Sequence, residues 1–328
     1  KDRSAVADPR GFRVDPRLLR WVVIGAVALG LRLYRLDDRS LWFDEIVTIR
    51  TAREPTVARL VQTLGRIDGS HAPLHPLMLQ GWMRIFGESS LAARLLSVAL
   101  GVATVALVLG LGRWAWNDRV GETAAWFCAV CPPLVYYSRE ARMYALVVLL
   151  TVASWSALLA ARRDSRRGLW AVYGATLVLL FLAHPLAVFM IAAHVLVGLV
   201  GVGPRRLPAV RWATVMAGSG LAAALWLPHY LGRQTDYPIP LYPIRFLLAT
   251  PIEYIGANGL ALIAWGMVIL IGLASFREGR LRARTPEPSL AAVVWLVAPP
   301  TLMYAYSWLR QPIFGQGRYT LFVAPAYF

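Results

Sequence analysis

MYALVVLLTVASWSALLAA, residues 143–161, is a run without a single charged side chain. A helix of about 20 such residues crosses the roughly 30 Å hydrocarbon core of a membrane. Residues 169–203 also lack acidic and basic side chains apart from two histidines, and residues 91–111 carry only Arg94. With 58% hydrophobic residues and a mean hydropathy of +0.53, the chain is predicted to be an all-α, polytopic membrane protein.

Extending this pattern along the chain predicts about ten transmembrane helices. The predicted crossings are residues 18–34, 90–112, 120–135, 143–161, 168–184, 186–202, 210–228, 257–275, 289–308 and 319 to the end. They would form one transmembrane domain, 18–328, after a basic tail, 1–17. The last apolar run stops at Phe328, too short for a crossing, so we expect further chain beyond it.

The net charge of +16 follows the predicted topology. Short arginine-rich connections alternate with the other loops and would lie in the cytoplasm together with the N-terminus: residues 112–119, 161–168, 203–211 and 277–285. An excess of basic residues in cytoplasmic loops is typical of membrane proteins. The charge therefore predicts contacts with membrane lipids and does not call for nucleic acid as a partner.

The first outer loop, residues 35–89, contains two amphipathic segments. In TVARLVQTLG, Val57, Leu60 and Leu64 share one helical stripe, and PLHPLMLQGWMRIFG shows a second stripe that includes Met78 and Trp82. The second segment is too short to cross a membrane, and counting it as a crossing would place the arginine clusters outside. Both segments are predicted to be interfacial helices that roof the transmembrane bundle.

The same outer loop begins with LYRLDDRSLWFDEIVTIR, residues 33–50, which places Asp44 and Glu45 among apolar side chains. Two interpretations are open from the residues alone. The two acids could stabilise the N-terminus of an interfacial helix through its dipole, or they could form part of a catalytic site.

Arginines recur in the other outer connections. In PPLVYYSREARMYAL, Arg139 and Arg142 share a helical face beside tyrosines such as Tyr144, and the last outer connection carries Arg318 and Tyr319. Paired guanidinium groups can grip a phosphate. The alternative is that these arginines and tyrosines only anchor the helices at the membrane boundary.

Three histidines also fall on the outer side. His184 lies at a predicted turn between two apolar runs, where a lone histidine is more often a turn residue than a catalyst. His71 and His75 have the spacing of a metal pair, but Pro73 and Pro76 disfavour one continuous helix through both. We therefore expect no metal site.

Four stretches resemble GT-C glycosyltransferases, in particular the branch of protein O-mannosyltransferases and of the aminoarabinose transferase of lipid A. The stretches are LWFDEIVTI, HAPLHPLMLQGWMRIFGESSLAARLLSVALG, PPLVYYSREARMYAL and GQGRYTLFVAP. The four stretches are spread over nearly the whole chain, and the first three are specific in combination. Residues 72–75, Ala-Pro-Leu-His, depart from the double proline that the family often shows.

The resemblance implies an outward-facing cavity that receives a sugar linked to a polyprenyl phosphate. By residue matching, Asp44 corresponds to the catalytic base and Glu45 to its neighbour. The donor phosphate would be held by arginines and tyrosines, and histidines would line the substrate cavity. The phosphate candidates are Arg94, Arg139, Arg142, Arg318, Tyr144 and Tyr319, and the cavity candidates are His71, His75 and His184.

The resulting hypothesis is an inverting glycosyltransferase of the bacterial cytoplasmic membrane, whose site faces the periplasm or the cell exterior. It would use a polyprenyl-phosphate-linked sugar as its donor substrate and no further cofactor. The acceptor would be a protein, a glycan or a glycolipid. The alternative is a non-catalytic GT-C-like subunit of a larger membrane complex, with other membrane proteins as partners.

Overall fold

The computed structural model describes residues 15–67, 72–164, 166–199, 209–231, 240–247, 286–310, 312–314 and 320–328. Within these ranges every regular element is helical, which confirms the all-α fold class. The helices are α1 (Pro16–Leu33), α2 (Phe43–Ala52), α3 (Val57–Ile67), α4 (Leu74–Phe86), α5 (Ser90–Ala115), α6 (Asp118–Val130), α7 (Pro132–Tyr137), α8 (Tyr144–Arg163), α9 (Arg167–Ala183), α10 (Ala187–Leu199), α11 (Ala209–Leu231), α12 (Pro286–Leu309) and α13 (Ala324–Tyr327), with a 3₁₀ turn at Leu321–Val323.

Membrane-spanning capacity is clearest in three of the described helices. Ser90–Ala115, Tyr144–Arg163 and Pro288–Leu309 are long and apolar enough to cross a membrane, and α9, α10 and part of α11 are shorter apolar helices. The predicted count of ten crossings is therefore not confirmed. The predicted crossing 257–275 lies outside the described residues, and the last one is described only as the 3₁₀ turn and the short α13.

Helix α5 is the centre of the bundle. It contacts α1, α4, α6 and α8, and α8 in turn packs on α9. Its crossing with α6 requires glycine, because a Cβ added at Gly112 would lie 2.6 Å from the Cα of Gly121. The helix begins where the Ser89 hydroxyl accepts a hydrogen bond from the N–H of Ala92.

Helices α3 and α4 are the two amphipathic segments that the sequence predicted as a roof. Helix α2 contacts α3 and α4, and α4 contacts both α5 and α9. Leu60 and Leu64 of α3 are buried, whereas Ile85 and Phe86 at the end of α4 are exposed, as expected for side chains that contact lipid. The opposite face of α4 buries the polar side chains of His75 and Gln80. The roof therefore turns polar groups towards the protein interior.

Candidate active site

The N-terminus of α2 points two adjacent carboxylates into different surroundings. Trp42 precedes the helix, and its backbone N–H donates to Glu45 Oε2 at 3.4 Å. Successive helical residues lie about 100° apart around the axis, so Asp44 and Glu45 face different neighbours. The Asp44 side chain is 25% exposed, whereas the Glu45 side chain is 1% exposed.

Glu45 forms a buried, two-pronged ion pair with Arg94 of α5. Arg94 Nε donates to Glu45 Oε1 at 2.9 Å and Nη2 donates to Oε2 at 2.8 Å. Oε1 also accepts the backbone N–H of Ala141 at 2.9 Å. Burial raises the pKa of the Glu45 carboxyl, but the hydrogen bonds from Arg94 and Ala141 outweigh burial and bring the pKa below its usual range.

Arg94 is occupied by partners within the protein. Besides Glu45, it donates to three backbone carbonyls of the preceding loop: Nη1 to Leu36 at 3.0 Å and to Arg39 at 2.9 Å, and Nη2 to Ser40 at 3.3 Å. A guanidinium group has five N–H donors, and these contacts use all of them. No N–H of Arg94 is left for the donor phosphate that the sequence assigned to it.

Asp44 lies beside Arg142. Arg142 Nη2 is 3.5 Å from Asp44 Oδ2, and Arg142 Nη1 donates to the Asp44 carbonyl at 3.3 Å and to Thr48 Oγ1 at 2.8 Å. Thr48, one helical turn beyond Asp44, donates its own hydroxyl to the Asp44 carbonyl at 2.8 Å. The base candidate and one phosphate candidate are therefore neighbours, as the sequence predicted.

His75 and Tyr144 lie around the same arginine. The Tyr144 ring centroid is 6.0 Å from the Arg142 guanidinium carbon, and Tyr144 is buried. His75 is 1% exposed, and among the described residues its Nε2 has no hydrogen-bond partner. Burial, assisted by the positive charge of Arg142, lowers the His75 pKa to about 3. The imidazole is therefore neutral at physiological pH.

Arg139 sits at the edge of this cluster. Its Nη2 donates to the carbonyls of Tyr34 at 2.6 Å and of Arg35 at 3.1 Å, where the chain leaves α1. Arg35 has φ of 51°, the left-handed region that a non-glycine residue adopts at a cost. Burial and the charges of Arg39 and Arg94 lower the pKa of Arg139. The negative charge of Asp38 opposes this shift.

Of the remaining candidate residues, the structure describes only His184. His184 ends α9, an element that contacts α4, and its Nδ1 accepts the backbone N–H of Leu186 at 3.1 Å. His71, Arg318 and Tyr319 lie outside the described residues. In the described ranges, no group of three or more His, Cys, Asp or Glu side chains could hold a metal ion.

Two contributors to the site escaped the sequence analysis. Thr48 lies four residues after Asp44, a spacing that puts both on one helical face and could have indicated the contact. The backbone N–H of Ala141 carries no signal in the sequence, because its role depends on how the turn before α8 meets α2.

Solved structures resemble this arrangement of helices. ArnT from Cupriavidus metallidurans in the apo state matches with a TM-score of 0.66 and 15% identity, over 94% of this chain and 58% of that one. The same protein bound to undecaprenyl phosphate matches with a TM-score of 0.60 and 14% identity, over 93% and 58%. The apo oligosaccharyltransferase of Archaeoglobus fulgidus gives 0.60 and 14%, over 96% and 50%.

The protein has the GT-C fold. The GT-C resemblance drawn from the sequence is thereby confirmed. A family model for dolichyl-phosphate-mannose-protein mannosyltransferases also matches residues 70–231, and a search of curated proteins finds no match. The chain spans 58% of the length of the ArnT structure and 50% of that of the oligosaccharyltransferase.

The family match covers only part of the candidate site. Its range contains Arg94, Arg139, Arg142 and the two candidate histidines that the structure describes, but it begins after α2. Asp44 and Glu45 therefore enter the site through tertiary contacts with the matched segment. Those contacts are the Glu45–Arg94 pair and the Asp44–Arg142 pair.

Proposed function

We propose that this protein transfers a sugar from a polyprenyl-phosphate donor to an acceptor at the outer face of a bacterial cytoplasmic membrane, with Asp44 as general base. The observation that carries the proposal is the contrast between the two adjacent acids. Glu45 is buried and fully engaged, whereas the Asp44 carboxylate remains a quarter exposed beside Arg142. We therefore assign the base to Asp44 alone and give Glu45 a structural task.

The chemistry follows from these positions. Asp44 accepts the proton of an acceptor hydroxyl while the hydroxyl oxygen attacks the anomeric carbon of the donor. The bond from that carbon to the phosphate oxygen breaks, and the electron pair leaves with the lipid phosphate. Attack from the face opposite the phosphate inverts the anomeric centre.

Arg142 and Arg139 supply positive charge for the departing phosphate. Arg142 is buried and adjoins Asp44, and Arg139, which precedes it in the same connection, lies against the exit of α1. Fixed charges aimed at a developing anion lower the barrier most when they need no rearrangement. The solved ArnT complex contains undecaprenyl phosphate, which supports a lipid phosphate as the ligand of this fold.

The test uses a product that is common to every sugar and acceptor. Membranes that contain the protein are supplied with lipid-linked sugars, and released polyprenyl phosphate is quantified by mass spectrometry. Asp44→Asn should reduce release by roughly 10²–10⁴-fold, the usual contribution of a general base. Asp37→Asn is the matched control, because Asp37 is an exposed acid of the same loop that contacts Ser90. Wild-type release by Asp44→Asn, at equal folded protein, would exclude the assignment.

The non-catalytic subunit remains the competing function. The Asp44–Arg142 contact would then serve only to hold α2 on the bundle. Analysis of co-purifying molecules separates the two: a polyprenyl phosphate supports the enzyme, whereas bulk phospholipid with a stoichiometric protein partner supports the subunit.

A further inference from the structure

Three separate chain segments meet at the Glu45–Arg94 pair. Arg94 holds the loop after α1 through the carbonyls of residues 36, 39 and 40. Glu45 belongs to the first turn of α2, and its Oε1 holds the turn before α8 through the N–H of Ala141. Both side chains are at least 97% buried.

We propose that Glu45 and Arg94 are a positioning pair that sets the base and the phosphate-binding arginines in one fixed relation. Asp44 directly precedes Glu45, and Arg142 directly follows Ala141. The hydrogen bond from the Ala141 N–H to the Glu45 carboxylate therefore links the two chain segments that carry Asp44 and Arg142. Arg139 is held to the exit of α1, the segment whose continuation Arg94 binds. This inference rests on the proposed function and assigns the pair a task within the same site.

The polarity of the backbone partners makes the pair specific. Arg94 faces three carbonyl oxygens and therefore must be a multiple donor, whereas Glu45 faces two backbone N–H groups, of Trp42 and Ala141, and must be an acceptor. Lysine carries the same charge as arginine but has only three donors and no planar fork. Arg94→Lys should therefore keep the positive charge beside Glu45 but lose most of the hydrogen bonds that align the loop after α1 with α2.

Arg113→Lys is the matched control. Arg113 lies on the same helix and also forms an ion pair, with Asp118 at 3.0 Å, but it lies at the opposite end of α5. Both variants replace one ion-paired arginine of α5 by lysine. Only Arg94→Lys should affect the outer site.

The first measurement is hydrogen exchange of the full chain in lipid nanodiscs. Peptides covering residues 36–42 and 139–143 should both exchange faster in Arg94→Lys, by about tenfold or more, the factor that matches one hydrogen bond to a charged group. Arg113→Lys should leave both unchanged. Faster exchange in residues 36–42 alone would overturn the proposal, because the pair would then not couple the two segments. If Arg94→Lys does not fold, Glu45→Gln is measured instead, with the same two peptides and the same criterion.

The second measurement separates positioning from simple stabilisation. Per folded molecule, Arg94→Lys should weaken the binding of undecaprenyl phosphate and should also lower turnover by about 100-fold, the loss expected from a misplacement of about 1 Å. Asp44→Asn should lower turnover alone. A variant that only lowers the amount of folded protein, with unchanged binding and turnover, would contradict the proposal. Exchange and binding need no turnover, so they test the pair even if the protein transfers no sugar.

Discussion

The two ends of α5 carry the same kind of contact with different consequences. At the N-terminal end, which is the outer end in the topology predicted from the sequence, Arg94 and Glu45 are 3% and 1% exposed and share two hydrogen bonds. At the C-terminal end, the inner end in that predicted topology, Arg113 and Asp118 are 31% and 40% exposed and share one, at 3.0 Å. Asp118 also contacts Arg17 at 3.4 Å. Sequence separation differs too: the outer pair joins distant segments, and the inner pair joins adjacent helices.

The difference shows how burial changes what an ion pair contributes to stability. An exposed pair is screened by water and contributes little, whereas each member of a buried pair depends on its partner to offset lost hydration. The outer pair also fixes backbone groups of three segments. We therefore expect mutations at the outer end of α5 to disturb both stability and the site, and mutations at the inner end to disturb neither strongly.

The largest effect should come from Arg94→Ala. This variant leaves the Glu45 carboxylate buried without its counter-charge, which typically costs about 3–5 kcal/mol in the free energy of unfolding. Unfolding in mixed detergent micelles measures the loss. Arg113→Ala is the control and should cost at least about threefold less. Equal losses in the two variants would show that the ends of α5 do not differ.

A smaller effect should come from Gly101→Ala, between the two ends. A Cβ at Gly101 would lie 2.6 Å from the Ser138 Cβ and 2.8 Å from Arg32 Nε, so tight packing extends this far along α5. Overpacking of this kind costs about 1–3 kcal/mol. Gly110→Ala is the control, because nothing lies within 4 Å of its added Cβ. An unchanged free energy of unfolding in Gly101→Ala would show that the tight packing of α5 is confined to the neighbourhood of Arg94.

His75 should make the outer end sensitive to acid. Its pKa is about 3 in the folded protein against an ordinary value of 6.5, so between these values the unfolded chain binds one more proton. The buried histidine therefore does not lower the free energy of unfolding above pH 6.5. Below pH 6.5, the free energy of unfolding falls by about 1.4 kcal/mol per pH unit. His75→Asn should flatten the dependence of unfolding on pH between 6.5 and 5. Parallel curves for the two proteins would refute this.

The smallest effect should come from Asp118→Asn at the inner end. The carboxylate is 40% exposed and is shared by the exposed Arg17 and the partly exposed Arg113, so water and salt already screen these contacts. We expect a small shift in the unfolding midpoint that disappears when the salt concentration is raised. A large shift that persists in high salt would show that the inner pair resembles the outer one.

Much of the fold could be predicted from the sequence. Long apolar runs indicated helices where α5, α8 and α12 occur, and the amphipathic segments indicated α3 and α4. The buried face of α4 could not be foreseen. This face combines the apolar Leu79 and Met83 with the polar His75 and Gln80. Gln80 faces inwards and donates to the carbonyl of Glu54 at 2.6 Å, a contact that the periodicity of the sequence does not encode.

The candidate site was predicted as a set of residues with assigned tasks, and those tasks stay predictions. The sequence brought Asp44 and Arg142 to the same side of the membrane, and the structure places them in contact. The sequence treated Glu45 as catalytic and Arg94 as a phosphate ligand, because residue type and position alone cannot show how many hydrogen bonds a side chain already makes.

By itself, the sequence determined a helical membrane protein, since hydropathy over about 20 residues fixes which segments can lie in lipid. The likeness to GT-C glycosyltransferases came from the four stretches that resemble that family, and not from hydropathy. Only the tertiary structure decided which of two adjacent acids remains accessible. A turn of about 100° along α2 sends Glu45 into the bundle, to Arg94 and Ala141, and leaves Asp44 at its edge. That choice depends on contacts across 49 and 96 residues of chain, which local sequence patterns do not encode.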